Sequence, residues 1–213
     1  MIIAILAGEE LKAEILRKKV REGIEYIWPD SLNSLLMVEA DYYFDFKFEM
    51  DPERISRLKR LFPKPVFVGA VNDTLAAIGD DRFIRINDWP GMMERNVIEL
   101  AFSDKQHPTI KLLAEETGWQ FISVPDIIGM VTPRIIAMIV NEAFFALEEG
   151  VSTRAEIDTA MKLGTSYPYG PFEWSEKIGS ELILTLLKSL QGSSGRYQVA
   201  GQLVSETPKT IFN

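Results

Sequence analysis

Residues 134–150 read RIIAMIVNEAFFALEEG, and their periodicity decides how the second half of the chain folds. Ile135, Ile136, Ile139, Val140, Ala143, Phe144 and Leu147 recur at helical spacing and form a wide apolar stripe, with Gly150 as the stop. Downstream, Thr153 and Glu156 have the spacing of a capping box that opens a second helix, ending at Gly164. A third helix is expected over residues 180–190. Tyr167-Pro168-Tyr169-Gly170-Pro171-Phe172 is aromatic and rigid, suited to a packed turn between helices or to lining a cleft for an acyl or pantetheine chain. Gly192-Ser193-Ser194-Gly195 reads as a flexible break, and the tail from Val199 is poorly patterned. No strand pattern follows Pro125.

Upstream the pattern is different. Residues 2–7 are an isoleucine-rich run, short and continuous like a strand buried on both faces. A helix is expected over 9–22, with Leu11, Ile15, Leu16 and Val20 on one face, then strands at 24–28 and at the aromatic-rich 42–48. Asp51-Pro52 opens another helix, with proline at its first position. Strands at 65–70, 82–86 and 97–102, a helix at 109–117 and a strand at 119–124 complete the series. Alternating strands and helices of this kind predict an α/β layer with a largely parallel sheet, whose ligands bind at the carboxyl ends of the strands. The expected fold class is therefore α/β plus all-α, with a domain over 1–125 and a helical domain over 126–213.

Composition narrows the functional classes. The chain has 213 residues and a net charge of −8, divided as −5 up to Pro125 and −3 beyond it. Neither part has the positive field that a phosphate backbone requires, so no nucleic acid partner is expected. The chain contains no cysteine and one histidine, His107, which reads as a solvated loop residue. Disulfides, thiolate catalysis and zinc–thiolate sites are excluded, and no metal site is expected. The absence of cysteine fits a cytoplasmic protein. The apolar runs are too short to span a membrane, and residues 1–7 read as a first strand rather than a signal peptide. Arg54, Arg57, Lys59, Arg60 and Lys64 form the only dense basic run, either a solvated helix face or a phosphate contact.

The second part also carries a specific resemblance. Asn141-Glu142-Ala143, Leu147-Glu148-Glu149-Gly150-Val151, Glu156-Ile157-Asp158, Ala160-Met161-Lys162-Leu163-Gly164 and Tyr167-Pro168-Tyr169-Gly170-Pro171-Phe172-Glu173 occur in order. This series resembles the C-terminal helical domain of the 3-hydroxyacyl-CoA dehydrogenases. Colinear with it, Arg82-Phe83-Ile84 and Val97-Ile98-Glu99-Leu100 are similar to the strand pair that brackets that family's active site. The resemblance implies a Rossmann-like domain binding NAD, a helical domain that closes the substrate cleft and dimerises, and fatty acid oxidation chemistry on acyl-CoA substrates. The chain from the second strand to Tyr42 is short for that fold, so the first domain is a shortened, degenerate version.

The same resemblance exposes what the chemistry lacks. A dinucleotide fingerprint needs three glycines after the first strand, where Leu6-Ala7-Gly8-Glu9-Glu10 supplies one. Gly8 is the remnant of the cofactor turn, and Asp30, ending the second strand, is the acidic residue available to a ribose. Glu99 matches the family glutamate that orients a catalytic histidine, but the histidine position falls on Asn87. An amide does not titrate and cannot accept the hydroxyl proton. The family asparagine that precedes the long helix is replaced by Pro133. Asn72-Asp73-Thr74 resembles the family's Asn-Thr-Ser stretch, which places Asn72 and Thr74 with Asn87 and Pro133 along the substrate cleft. Asp88 and Glu99 are the carboxylates available to replace the missing base. The expected protein is a homodimeric dehydrogenase relative without normal activity, a pseudoenzyme that binds an acyl-CoA-like ligand. The alternatives are an active NAD(P)-dependent oxidoreductase with a carboxylate base, and a non-catalytic partner of a full-length dehydrogenase.

Overall fold

The structure, a computed structural model, describes residues 1–192 and 195–208. It divides into two compact units, Met1–Met130 and Val131–Asn213.

The first unit contains β1 (Ile2–Leu6), α1 (Glu9–Arg17), β2 (Glu25–Ile27), α2 (Leu32–Met37), β3 (Tyr42–Asp45), α3 (Pro52–Leu58), β4 (Val66–Gly69), α4 (Leu75–Ile78), β5 (Phe83–Ile86), β6 (Val97–Ala101), α5 (His107–Thr117) and β7 (Gln120–Ser123). The strands form one sheet in the order β2-β1-β3-β4-β5-β6-β7, in which only β5 and β6 pair antiparallel. The order reverses at β1, whose neighbours are β2 and β3, so the crevice of this parallel sheet lies outside the carboxyl ends of β1 and β3.

Both faces of the sheet are covered, as its apolar strands demand. Ile3, Ile5, Phe44, Phe67, Ile84 and Ile86 pack under Ile15 of α1 and Ile110 and Leu113 of α5. Phe44 and Phe67 stack with ring centroids 4.3 Å apart, in one hydrophobic layer. On the other face, Leu6, Val66, Val68 and Phe83 pack with Leu35, Ile55, Leu58, Leu75 and Ile78 of the helices α2, α3 and α4.

Two local differences from the sequence expectation have physical causes. Helix α1 ends at Arg17 rather than near Glu22, because Lys18 turns extended, donates from Nζ to the carbonyl of Arg95 at 2.7 Å and lies over the Trp119 ring. His107 is not a loop residue. It opens α5 just before Pro108, with its ring edge-on to Phe102 and still largely exposed.

The second unit contains α6 (Thr132–Glu148), α7 (Arg154–Thr165), α8 (Pro171–Ile178), α9 (Ser180–Gln191) and α10 (Gly201–Glu206). Helix α6 packs against α8, α9 and α10. The capping box of Thr153 and Glu156 opens α7 as its spacing predicts. Asn141 is buried on α6, donating to the Gln198 carbonyl at 2.8 Å and accepting from Ala200 N at 3.0 Å. That clamp gives the poorly patterned tail a fixed seat and explains α10, which the sequence reading missed. The Tyr167–Phe172 stretch runs directly into α8, with Tyr169 edge-on to Trp174 at 4.8 Å. Of the flexible break expected at residues 192–195, Ser193 and Ser194 lie outside the described residues.

Candidate functional site

The carboxyl ends of β1, β3, β4 and β5 share one edge of the sheet, and because β6 runs the other way its first residues join them. This edge brings Asn87, Asp88 and Glu99 together with Arg54 of the basic run and with two residues that the sequence reading did not single out, Asp45 and Gly69. Asn87 is buried just past β5. Its backbone N–H donates to the Glu99 carbonyl at 3.1 Å, and its side-chain Nδ2 lies 3.5 Å from Glu99 Oε2. Its Oδ1 accepts from Trp89 N at 3.3 Å, which fixes the amide orientation.

Asp45 ends β3 with no exposure at all. Arg54 of α3 grips it twice, Nε to Oδ2 at 2.9 Å and Nη2 to Oδ1 at 2.7 Å, and Lys47 N adds a third bond at 3.1 Å. Burial still raises the Asp45 carboxyl above its ordinary range, with Arg54 pulling the other way. Asp88 lies over the end of β4. A Cβ on Gly69 would stand 2.0 Å from Asp88 Oδ2, so only glycine permits this seat. Asp88 keeps a partly exposed edge, yet protein atoms crowd its carboxyl. That desolvation, with the nearby Asp45 charge adding to it, pushes its pKa up to about 7.

The remaining sequence candidates occupy definite places. Gly8 is the N-cap of α1 in an extended conformation, and a Cβ there would meet nothing within 4 Å. Glu9 and Glu10 fill the first turn of that helix and are exposed. Asp30 is engaged in the start of α2: it accepts from the Ser34 hydroxyl at 2.7 Å, and that bond, with help from Ser31, lowers its pKa. Thr74 caps α4, accepting from Ala77 N at 3.1 Å. The Asn72 carboxamide oxygen is buried and has no hydrogen-bond partner among the described residues. Pro133 is buried in the first turn of α6, in the second unit.

Beneath the Asn72–Thr74 loop lies Arg85, fully buried on β5. It donates to the carbonyls of Ala70 at 2.9 Å and Val71 at 3.1 Å and pairs with Asp126 at 2.6 Å. Burial lowers its pKa, opposed by Asp126. Asp126 in turn accepts from Leu75 N at 3.0 Å at the start of α4. This clasp fixes the loop after β4.

Much of the basic run is engaged within the unit. Arg54 pairs with Asp45, Lys59 with Asp80 and Lys64 with Asp41, while Arg57 bonds the Asn33 side chain. No group of three or more His, Cys, Asp or Glu side chains is placed to hold a metal ion among the described residues. No helix among them is long and apolar enough to cross a membrane.

The first unit is a doubly wound, mostly parallel sheet with its candidate site at the carboxyl ends of the strands, and the second unit is all-helical. Residues 129–208 match the family model "3-hydroxyacyl-CoA dehydrogenase, C-terminal domain". Among curated relatives, the chain is 44% identical over 81 residues to a 3-hydroxyadipyl-CoA dehydrogenase of Escherichia coli K12, a match covering 38% of this chain and 17% of that protein. It is 33% identical over 111 residues to a probable 3-hydroxybutyryl-CoA dehydrogenase of Bacillus subtilis, covering 52% and 39%. The chain therefore spans less than half the length of these relatives. Over nearly its whole length it shares the fold of an (S)-3-hydroxybutyryl-CoA dehydrogenase from Ralstonia eutropha, with a TM-score of 0.70, 22% identity, and coverage of 96% of this chain and 92% of that one.

Proposed function

We propose that this protein is a 3-hydroxyacyl-CoA dehydrogenase relative that has lost hydride-transfer chemistry and binds an acyl-CoA-like ligand. The observation that carries this reading is the buried Asn87 amide, fixed between Glu99 and Trp89 N where the family resemblance puts the proton acceptor. The cofactor side supports it. A diphosphate at the start of α1 would meet Glu9 and Glu10, whose charges repel it although the helix dipole attracts it. Asp30, the residue available to a ribose, already serves Ser34. These groups do not fit a dinucleotide. The protein works as a homodimer built on the helical unit, in the cytoplasm.

A second reading is favoured by one observation. Asp88 presents a carboxyl with a pKa near neutrality at the crevice, which suits proton exchange with a hydroxyl or carbonyl ligand.

Thermal denaturation with NAD, NADP, coenzyme A and several acyl-CoAs tests the proposal. A ligand present at 100 times its dissociation constant adds about 2.7 kcal/mol of stability. The expected result is a rise in melting temperature with an acyl-CoA and none with NAD or NADP. Stabilisation by NAD alone would contradict it.

A further inference from the structure

The segment from Asn87 to Asn96 joins β5 to β6 without regular helix or strand, and it starts with Asn87 and Asp88. It does not hang free. Three consecutive contacts tie it to one face of α1. Glu14 Oε1 accepts from Gly91 N at 2.6 Å, Arg17 pairs with Glu94, and Lys18 Nζ donates to the Arg95 carbonyl at 2.7 Å. Glu14 and Arg17 stand at the i, i+3 spacing that aligns side chains on a helix, and Lys18 follows in extended conformation just past its end. Trp89, Met92 and Met93 are buried beneath the loop.

The three ties are unequal. The Arg17–Glu94 pair is well exposed, with side-chain exposures of 63% and 35%, and such pairs contribute little. Glu14 is 1% exposed, and its bond to Gly91 is a charge-assisted one made out of water. Gly91 sits at φ 84°, a left-handed conformation that presents its N–H to Glu14 and that a residue with a side chain rarely adopts. Gly91 is three residues from Asp88. The loop is thus pinned at one end by Asn87 to Glu99 and at the other by Gly91 to Glu14, with Asp88 held between them on Gly69.

We infer that Glu14 is a positioning residue that keeps the Asp88 carboxyl seated over Gly69 by fastening the β5–β6 loop to α1. The inference rests on the second reading above, that Asp88 is the titrating group of the crevice. The charged groups that face this seat are Asp45 at the end of β3 and, through its pairing with Asp45, Arg54 of α3. Released from Gly91, the loop lets Asp88 turn to solvent, where an aspartate recovers its ordinary acidity.

The test follows the Asp88 carboxyl by carbon NMR during a pH titration of the full chain, assigned by its loss in Asp88→Asn. In the unmodified protein the midpoint is expected at about 7. Glu14→Ala removes both the charge and the contact, and its expected effect is a rise of at least ~10-fold in the Asp88 acid dissociation constant. Glu14→Gln removes the charge but keeps an acceptor, and is expected to leave the midpoint near its original value. Glu14→Asp keeps the charge on a side chain too short for Gly91, so it is expected to behave like Ala and serves in its place if Ala does not fold. Gly69→Ala expels the carboxyl directly and gives the unseated reference. An unchanged midpoint in a folded Glu14→Ala or Glu14→Asp overturns the inference. So does an equal fall in the Ala and Gln variants, which would make the effect one of charge alone. A midpoint near 4 in the unmodified protein overturns the reading of Asp88 itself, a failure distinct from that of Glu14.

Discussion

Asn87 and Glu99 face each other across the antiparallel β5–β6 pair, the amide nitrogen 3.5 Å from the carboxylate, with a backbone bond of 3.1 Å alongside. The reversal of β6 brings them together: Arg85 and Ile86 pair with Ala101 and Leu100, so Asn87, just past the end of β5, falls opposite Glu99 in the middle of β6. The sequence resemblance places a titrating base at the Asn87 position. An amide there satisfies the buried carboxylate but exchanges no proton.

Asp88 makes stability depend on pH. Its folded-state pKa, raised to about 7 chiefly by burial, lies above that of an aspartate in an unfolded chain. Between about pH 4 and pH 7 the folded protein therefore binds the extra proton, and stability falls as pH rises through that window. Above pH 7 the full penalty of a buried charge stands. Asp88→Asn cannot ionise, so its melting temperature is expected to exceed that of the unmodified protein at pH 8, and the gap is expected to close by pH 4. Each kcal/mol corresponds to about 2–4 °C in a chain of this size. Differential scanning calorimetry at the two pH values checks the sign.

Arg85 is the polar keystone of the first unit. It is fully buried and serves Asp126 and the carbonyls of Ala70 and Val71. Arg85→Met removes a buried donor from each of the three and leaves Asp126 without its cation, and a loss of about 3–5 kcal/mol is expected from denaturant unfolding. Asp126→Asn should cost less, because that side chain is 30% exposed and water can replace part of the bond.

The helical unit exposes Ile135 at 50%, Val151 at 67% and Leu163 at 81%. Its own unit already buries Ile136, Val140, Ala143 and Phe144 of the α6 stripe, and a second copy of the chain is expected to cover the exposed Ile135. Light scattering at micromolar concentration is expected to give twice the chain mass of 24.1 kDa. Ile135→Asp is expected to shift it toward the monomer without unfolding the protein, and a monomeric unmodified protein would contradict the homodimer.

Much of this was legible in the residues. The isoleucine run of β1, the Asp51-Pro52 start of α3 and the Thr153–Glu156 capping box each carry a local signal, and each element forms where that signal stands. Helix α10 carries none, since its position depends on the Asn141 clamp some 60 residues away in sequence. The early end of α1 is likewise set by Lys18 reaching Arg95 and Trp119, contacts that no periodicity reveals. At the site, Asn87, Asp88 and Glu99 were found by resemblance to the family's strand pair, not by any local pattern. Asp45 and Gly69 were missed because a carboxylate or a glycine ending an apolar strand looks ordinary until the neighbouring strand is in register. The Asp45–Arg54 grip did have a signal, an aspartate at the close of one strand followed by the basic run of the next helix.

Loss of hydride transfer is measured most directly by nicotinamide absorbance with purified protein, 3-hydroxybutyryl-CoA or a longer 3-hydroxyacyl-CoA, and NAD at high concentration. General base catalysis alone contributes about 10²–10⁴-fold, and Asn87 removes the group that resemblance assigns to it. The account predicts no turnover above background, and none in Asn87→His either, because Glu9 and Glu10 still meet the diphosphate and Pro133 still replaces the family asparagine. A turnover of ~1 s⁻¹, ordinary for an enzyme, in the unmodified protein would contradict the account and make Asp88 or Glu99 the base.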